Sequence, residues 1–469
     1  MAQNVIRRID KEPTPSDILA SIKNATNDRL YDIRAFIKNL MEIEGNYSIL
    51  IDGEWGVGKT FFVHQIMAAL LSLNQSQCKN SDLQPELESI REIIFPQLEG
   101  TKTYYPIYLN AWENDFNEDP ILSIASCIIE ALEENYDLTK QGQSAGKALI
   151  DFISSFKLSF SVPTPFPGMQ ANLEVDPEKA AKAIRKTDIL DQYKAKKKFR
   201  HDLAQALDSS TEGRADRFVL FVDELDRCRP EFAVRVLESL RFLFNQNVLT
   251  IVLSANARAL GDSISSWYGR GFDGQRYLMR FYDELKQLTS FDVALYLRSL
   301  GITVGWDEPV VRCISSHRLT MRDVNRCSNT LKNIFQETIK QPGNSYTRLF
   351  LSYFACEIAC LIGSKGPSVQ NQVLSGQGVD LVQEWLSESE MLQFASSTIA
   401  NTDTLDEMPG ISINSKGQKV ADMTEMITSM YDVFFSYADD DPRLNSATWA
   451  LNAARSVIRP LFSLSKERI

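Results

Sequence analysis

The sequence predicts an α/β fold: a parallel-sheet core with a helical lid and a mostly helical C-terminal region. Three observations carry this. Short apolar runs alternate with helical periodicities through roughly the first 290 residues, the pattern of buried parallel strands covered on both faces. One run, Tyr47–Asp52, passes straight into a glycine-rich turn and a helix. Another, inside Arg217–Arg227, ends in acidic residues.

In chain order, a polar leader (1–27) precedes Asp28–Leu40, where Leu30, Ile33, Ile37 and Leu40 fall on one helical face. Tyr47–Asp52 reads as a buried strand, Gly53–Thr60 as a turn and Phe61–Leu73 as a helix. Residues 74–100 read as a polar excursion, followed by a strand at Tyr104–Leu109 and a helix from Pro120 to Glu134. This first part of the core spans 28–141. An insertion (142–216) then interrupts it, with alternating Lys157–Val162 and Met169–Val175 flanking a proline-rich tip as a projecting hairpin, and a charged helix from Pro177 to Leu207. The core resumes over 217–290, with a strand before Asp223, a helix from Pro230 to about Asn245 and a strand at Leu249–Asn256. Beyond it the helical lid is assigned to 291–340 and a helical C-terminal domain to 341–469, with polar loops at Gly363–Asp380 and Asn401–Gln418.

With 469 residues, 44% of them hydrophobic and 24% charged, the chain has the make-up of a packed globular protein, which excludes disorder as its main state. Sixty-one acidic against fifty basic residues give a net charge of −11, so no global field draws the molecule to nucleic acid or anionic lipid. Any polyanion must be held locally. Seven cysteines (Cys78, Cys127, Cys228, Cys313, Cys327, Cys356, Cys360) lack paired zinc-type spacing and read as small buried hydrophobes in a reducing compartment. The N-terminus has no apolar run behind its arginines, which predicts no signal peptide and a cytoplasmic protein. Leu349–Ile362 is short of the roughly 20 residues a membrane span needs and contains Glu357, so it reads as a buried core helix.

Gly53-Glu54-Trp55-Gly56-Val57-Gly58-Lys59-Thr60 fits G-x-x-x-x-G-K-[ST]. Its glycines let backbone N–H groups turn inward around phosphate oxygens, and the N-terminus of the helix carrying Phe61 adds positive dipole. Lys59 is expected to reach the β- and γ-phosphates, and the Thr60 hydroxyl to ligate Mg²⁺. Asp223, after four apolar residues, is expected to hold the magnesium shell, and Glu224 to polarise water for attack on the γ-phosphate, with Asp226 as rival base. Asn256, at the end of the next strand, is either a sensor between water and phosphate or a helix cap. Arg227, Arg280, Arg322 and Arg326 are the candidates to neutralise transition-state charge, with no choice among them.

Together with LNAWENDFNEDP, VDELDRCRPEFAVRVLESL, LSAN, RYLMRF and TMRDVNRCSNTL in this order, the site resembles the KAP family of P-loop NTPases over about Asp28–Leu331. The step Asn110-Ala111-Trp112 is its most specific element. The resemblance implies an additional-strand, AAA-like ATPase core with a helical lid, using ATP and Mg²⁺ and working as an oligomeric switch or machine. Bacterial members are often linked to exclusion of bacteriophage. It also implies that Arg280 reaches across a subunit interface and that Arg322 is the lid arginine sensing the γ-phosphate. Family members usually carry Asp where Glu224 stands, and many insert transmembrane helices where this chain has its hairpin and charged helix.

The run Tyr193–Arg200 (YKAKKKFR) reads as a solvated helix face beside Asp188, Asp191 and Asp202 in preference to a nucleic-acid contact. The hairpin is the candidate partner-binding or oligomerising element, and Trp112 is expected to pack at the sheet edge. The leading expectation is an ATP-hydrolysing oligomeric switch with a protein partner. The alternatives are an ATP-holding scaffold with little turnover and a nucleic-acid-stimulated ATPase.

Overall fold

The computed structural model describes residues 13–23, 25, 27–74, 84–96, 102–116, 120–135, 215–243, 249–288, 293–299, 302, 307–338, 345–389, 410–415, 419–446, 455–456 and 462. The expected hairpin, the basic run and Cys78 lie outside these residues.

Two compact units divide the chain, one of Pro13–Gly53 and Gly58–Thr289, the other of the described residues in 290–469 together with Glu54–Val57. The first unit opens with α1 (Pro15–Lys23) and α2 (Asn27–Glu42), followed by β1 (Tyr47–Asp52), α3 (Lys59–Leu73), α4 (Gln84–Ile94), β2 (Tyr104–Asn110) and α5 (Pro120–Asn135). It continues with β3 (Arg217–Asp223), a single 3₁₀ turn at Leu225–Arg227, α6 (Pro230–Leu243), β4 (Leu249–Ala255), α7 (Ala257–Tyr268), α8 (Gly274–Leu278) and β5 (Glu284–Gln287). The five strands form one parallel sheet in the order β2-β3-β4-β1-β5. The glycine-loop strand and the acidic strand are therefore not neighbours, because β4 lies between them.

Strands β3 and β4 are buried along their whole length. Burial on both faces explains why they read as continuous Val, Leu, Ile and Phe instead of alternating. One core cluster packs α5, α6 and α7 on the sheet, and a second packs α1 to α4 with Ile49, Ile51 and Val252. Three departures from the expected elements have one cause, that short amphipathic stretches acquire structure only when a partner covers them. The polar leader contains α1, which buries Ile18 and Ile22 one turn apart, and the excursion contains α4, which buries Leu87, Ile90 and Ile94. The polar edge strand β5 becomes a strand by pairing with β1, Ile49 opposite Glu284.

The second unit contains α9 (Val293–Ser299), α10 (Asp307–Ser316), α11 (Met321–Thr338), α12 (Ser345–Lys365), α13 (Pro367–Leu374), α14 (Val379–Ser387) and α15 (Met423–Tyr431), the last running into a π-helical turn at Asp432–Ser436. Strand β6 (Ile411–Ile413), inside the expected loop 401–418, pairs with β7 (Lys419–Ala421), just beyond it, as a small antiparallel hairpin. The loop expected at Gly363–Asp380 is instead largely helical, since Pro367 opens α13 and Val373 anchors it in the core. One hydrophobic core runs from Leu297 through α12 to Phe462, so the stretches read as lid and C-terminal domain draw on common packing. No helix among the described residues is long and apolar enough to cross a membrane.

Candidate active site

Register brings the site residues to one edge of the sheet. Asp52 stands opposite Ala255, and Asp223 stands between Asn110 and Ser254. The loops that leave these strands therefore start at the carboxyl edge of the sheet, where open α/β sheets bind their ligands.

The glycine loop leaves β1 at Gly53 and enters α3 at Lys59. Gly56 and Gly58 have φ of +90° and +92°, a conformation side chains oppose, so the loop needs glycine at both. Gly58 occupies the N-cap position with no side-chain hydrogen bond to the helix, leaving the first amides of α3 to a ligand. Phe62 N–H bonds to Gly58 carbonyl at 3.0 Å, and Val57 N–H to Glu54 carbonyl at 3.4 Å. Trp55 and Phe61 are exposed. Within the second unit, a Cβ on Gly56 would lie 2.6 Å from Thr320 Oγ1 and 2.8 Å from Arg322 Cβ.

Lys59 is buried, and its Nζ donates to Gly53 carbonyl at 2.6 Å. Burial pushes its ammonium below the ordinary lysine value, and the charges of Asp226, Asp223 and Asp52 pull it back. Two cations, Lys59 and Arg227, thus share the company of three carboxylates. Thr60 follows it on the first turn of α3.

Asp223 is 1% exposed; its Oδ1 accepts from Glu224 N–H at 2.9 Å and its Oδ2 from Tyr108 hydroxyl at 3.2 Å. Ser254, its partner on β4, has a buried Oγ without a hydrogen-bond partner. A buried carboxylate beside an orphaned hydroxyl fits a hydrated Mg²⁺, which binds through few carboxylates and keeps several waters. Glu224 takes a left-handed backbone, φ +62°, which is uncommon for a residue with a side chain and is held by the structure around it. Its Oε1 is paired with Arg227 Nη1 at 2.8 Å.

Arg227 also lies over Trp112, 5.7 Å from the ring centroid. Trp112, expected to pack at the sheet edge, is 51% exposed instead, because Asn110 turns the chain outward by accepting from Trp112 and Glu113 N–H at 3.1 and 3.3 Å. Asp226 Oδ2 accepts from Asn256 N–H at 3.0 Å, and Asp52 Oδ1 accepts from Ala257 N–H at 2.8 Å, tying the ends of β1, β3 and β4 together. Asn256 is the N-cap of α7, its Oδ1 accepting from Ala259 N–H at 3.0 Å.

Arg280 is exposed at the end of α8, 5.4 Å from the Tyr277 ring centroid. Arg322, on the first turn of α11, and Arg326, paired with Asp323 at 3.9 Å, belong to the second unit. The structure thus brings Lys59, Asp223, Glu224, Arg227 and Asn256 to one sheet edge, and leaves Arg280 outward on the same unit. Sequence reasoning missed Tyr108, Asp52 and Ser254. Two of them were findable: Asp52 is the last residue of the strand before the loop, and Ser254 precedes Asn256 on the same strand end.

The KAP family P-loop domain model matches residues 32–289, more than half of the chain. No curated protein matches. Among solved structures, a Walker-type ATPase of Pyrococcus abyssi is similar at 10% identity with a TM-score of 0.26, over 91% of this chain and 99% of that one. The match takes in the glycine cradle after β1, β4 and the acidic end of β3, and the chain belongs to the KAP family of P-loop NTPases.

Proposed function

We propose that the protein hydrolyses ATP with Mg²⁺ and uses the cycle to drive an oligomeric switch. The observation that carries this is the convergence of Lys59, Asp223, Asp226 and Asp52 at one edge of the sheet, with Glu224 presented just beyond it by a left-handed turn. The loop amides and Lys59 would hold the β- and γ-phosphates. Thr60 and Asp223 would hold the metal, which supplies charge neutralisation between those phosphates. Glu224 would orient and deprotonate the attacking water. Asn256 would present its amide to that water while its carbonyl oxygen caps α7. On the family resemblance, Arg280, which is exposed, would reach a second copy of the chain, and Arg322 would sense the γ-phosphate. A role in defence against bacteriophage, with a protein partner, rests on the family resemblance alone.

The Glu224–Arg227 ion pair supports a second reading, in which the base stays engaged and the chain is an ATP-holding scaffold with little turnover. ATP turnover and binding in wild type, Lys59→Ala and Glu224→Gln separate the two. Hydrolysis as the function predicts that Lys59→Ala loses binding, and that Glu224→Gln binds normally with kcat lower by about 10²–10⁴-fold. A wild type that binds ATP and releases no phosphate at any protein concentration, with Glu224→Gln indistinguishable from it, leaves the scaffold reading standing.

A further inference from the structure

Glu357 is fully buried in the middle of α12, among Tyr353, Phe354, Ala355, Ile358 and Leu361 on the same helix, which are buried too. A carboxylate there is costly unless its charge is met. Four donors meet it: Trp385 Nε1 at 2.9 Å and His317 Nε2 at 3.0 Å on Oε2, Ser389 hydroxyl on Oε1, and the Cys313 thiol. A carboxylate offers about four acceptor positions, so a metal would enter by replacing the Cys313 and His317 protons that now point at it.

His317 is one helical turn beyond Cys313, its N–H bonded to Cys313 carbonyl at 3.2 Å, so the two side chains share a face. Its ring is 1% exposed and stacks on Trp385 at 3.6 Å between centroids, while its Nδ1 is buried without a hydrogen-bond partner. The Cys313, His317 and Glu357 donor atoms all lie within 4.8 Å of one another. Donors around one tetrahedral zinc stand about 3.3–3.6 Å apart, given bonds of about 2.0–2.3 Å. A second thiol, Cys360, is hydrogen-bonded to Cys313 from α12.

We infer that Cys313, His317 and Glu357 form a structural binding site for a divalent transition metal, zinc by its donor set, with the Cys360 thiol beside Cys313. A thiolate and a carboxylate carry two negative charges and a neutral imidazole none, so a divalent ion cancels the charge of the set. Mixed sulfur, nitrogen and oxygen donors favour zinc over magnesium or calcium, which take oxygen. On binding, the Cys313 thiol gives its proton to solvent and its sulfur bonds the metal, with no change of oxidation state. The ion would then lock α10 to α12, independently of the nucleotide reaction.

The test uses the full-length protein, chelator-stripped and nucleotide-free, titrated with Co²⁺ alone and followed by absorbance, then back-titrated with Zn²⁺. The expected result is a thiolate-to-cobalt charge-transfer band that saturates at about one equivalent, bleaches with zinc, and persists in a Cys78→Ser, Cys127→Ser, Cys228→Ser protein. Cys313→Ser is expected to abolish the band, and Glu357→Gln to weaken zinc binding by more than about tenfold. Absence of the band in wild type overturns the inference, as does its loss in the triple variant or its survival in folded Cys313→Ser. Should Cys313→Ser and Glu357→Gln not fold, a Cys327→Ser, Cys356→Ser protein decides: a retained band supports the site and a lost band in the folded variant overturns it.

Discussion

Glu224 shows how one residue's backbone can matter as much as its charge. Its left-handed φ turns the chain off the end of β3, so that Asp223 stays buried below while Glu224 reaches Arg227 three residues on. Beside it, Cys228 is buried with its Sγ 3.7 Å from Glu224 carbonyl, and burial pushes its thiol up to about 12. An ordinary thiol titrates near 8.5, so at pH 8 the Cys228 thiolate fraction is lower by roughly 10³. The sign is set by the raised value: reactivity climbs about tenfold per pH unit from pH 8 toward 12, where an exposed thiol has already levelled off. Iodoacetamide labelling of Cys228 followed by mass spectrometry between pH 7 and 10 measures it, and a plateau near pH 9 would contradict the burial described.

At the scale of elements, the strand ends are locked by side chains of one element accepting from the backbone of another. Asn256 is the clearest case, since it caps α7 while standing where a sensor would stand. Serine can keep the cap but not the amide, so Asn256→Ser is expected to hold stability and slow turnover, whereas Asn256→Ala also loses about 1 kcal/mol. Urea midpoints and phosphate release on the two variants separate cap from sensor, and a fully active Asn256→Ser would leave only the cap. Close approach of α7 and α8 makes a second expectation. A Cβ on Gly274 would lie 2.0 Å from Gly261 carbonyl and 2.6 Å from Ser265 Oγ, the atom that accepts from Gly274 N–H at 3.0 Å. Backbone cannot yield as a flexible side chain does, so Gly274→Ala should lower stability by about 1–3 kcal/mol, seen as an earlier chemical-denaturation midpoint. Because Arg280 directly follows this helix, the same change should impair turnover at temperatures where the sheet is still folded.

For the whole molecule, the proposed switch requires that one copy complete the site of another. Arg280→Ala and Glu224→Gln are each expected to be nearly inactive alone, with losses of about 10³ or more for a true arginine finger. Mixing them places an intact Arg280 from one copy against an intact Glu224 of the other, so part of the activity should return on mixing. Specific activity should also rise with wild-type concentration. Mixtures no more active than their components would confine Arg280 to its own chain.

The P-loop and the acidic strand end were legible in the sequence because their chemistry is local. Consecutive backbone amides form the phosphate cradle, positive φ selects glycine at Gly56 and Gly58, and a run such as Phe218–Val222 can be nothing but buried. The order of elements followed from the same runs. Tertiary structure alone decided that β4 separates β1 from β3, that Tyr108 reaches Asp223, and that Trp112 faces outward under Arg227. It also decided that α1 and α4 are helices, since each is stabilised by a surface supplied from elsewhere. Four cysteines of irregular spacing announced nothing, yet folding sets Cys313 and His317 beside Glu357, 40 residues after His317. Sequence records which groups a chain possesses and how neighbours along it must bend; only packing brings groups distant along it within bonding distance.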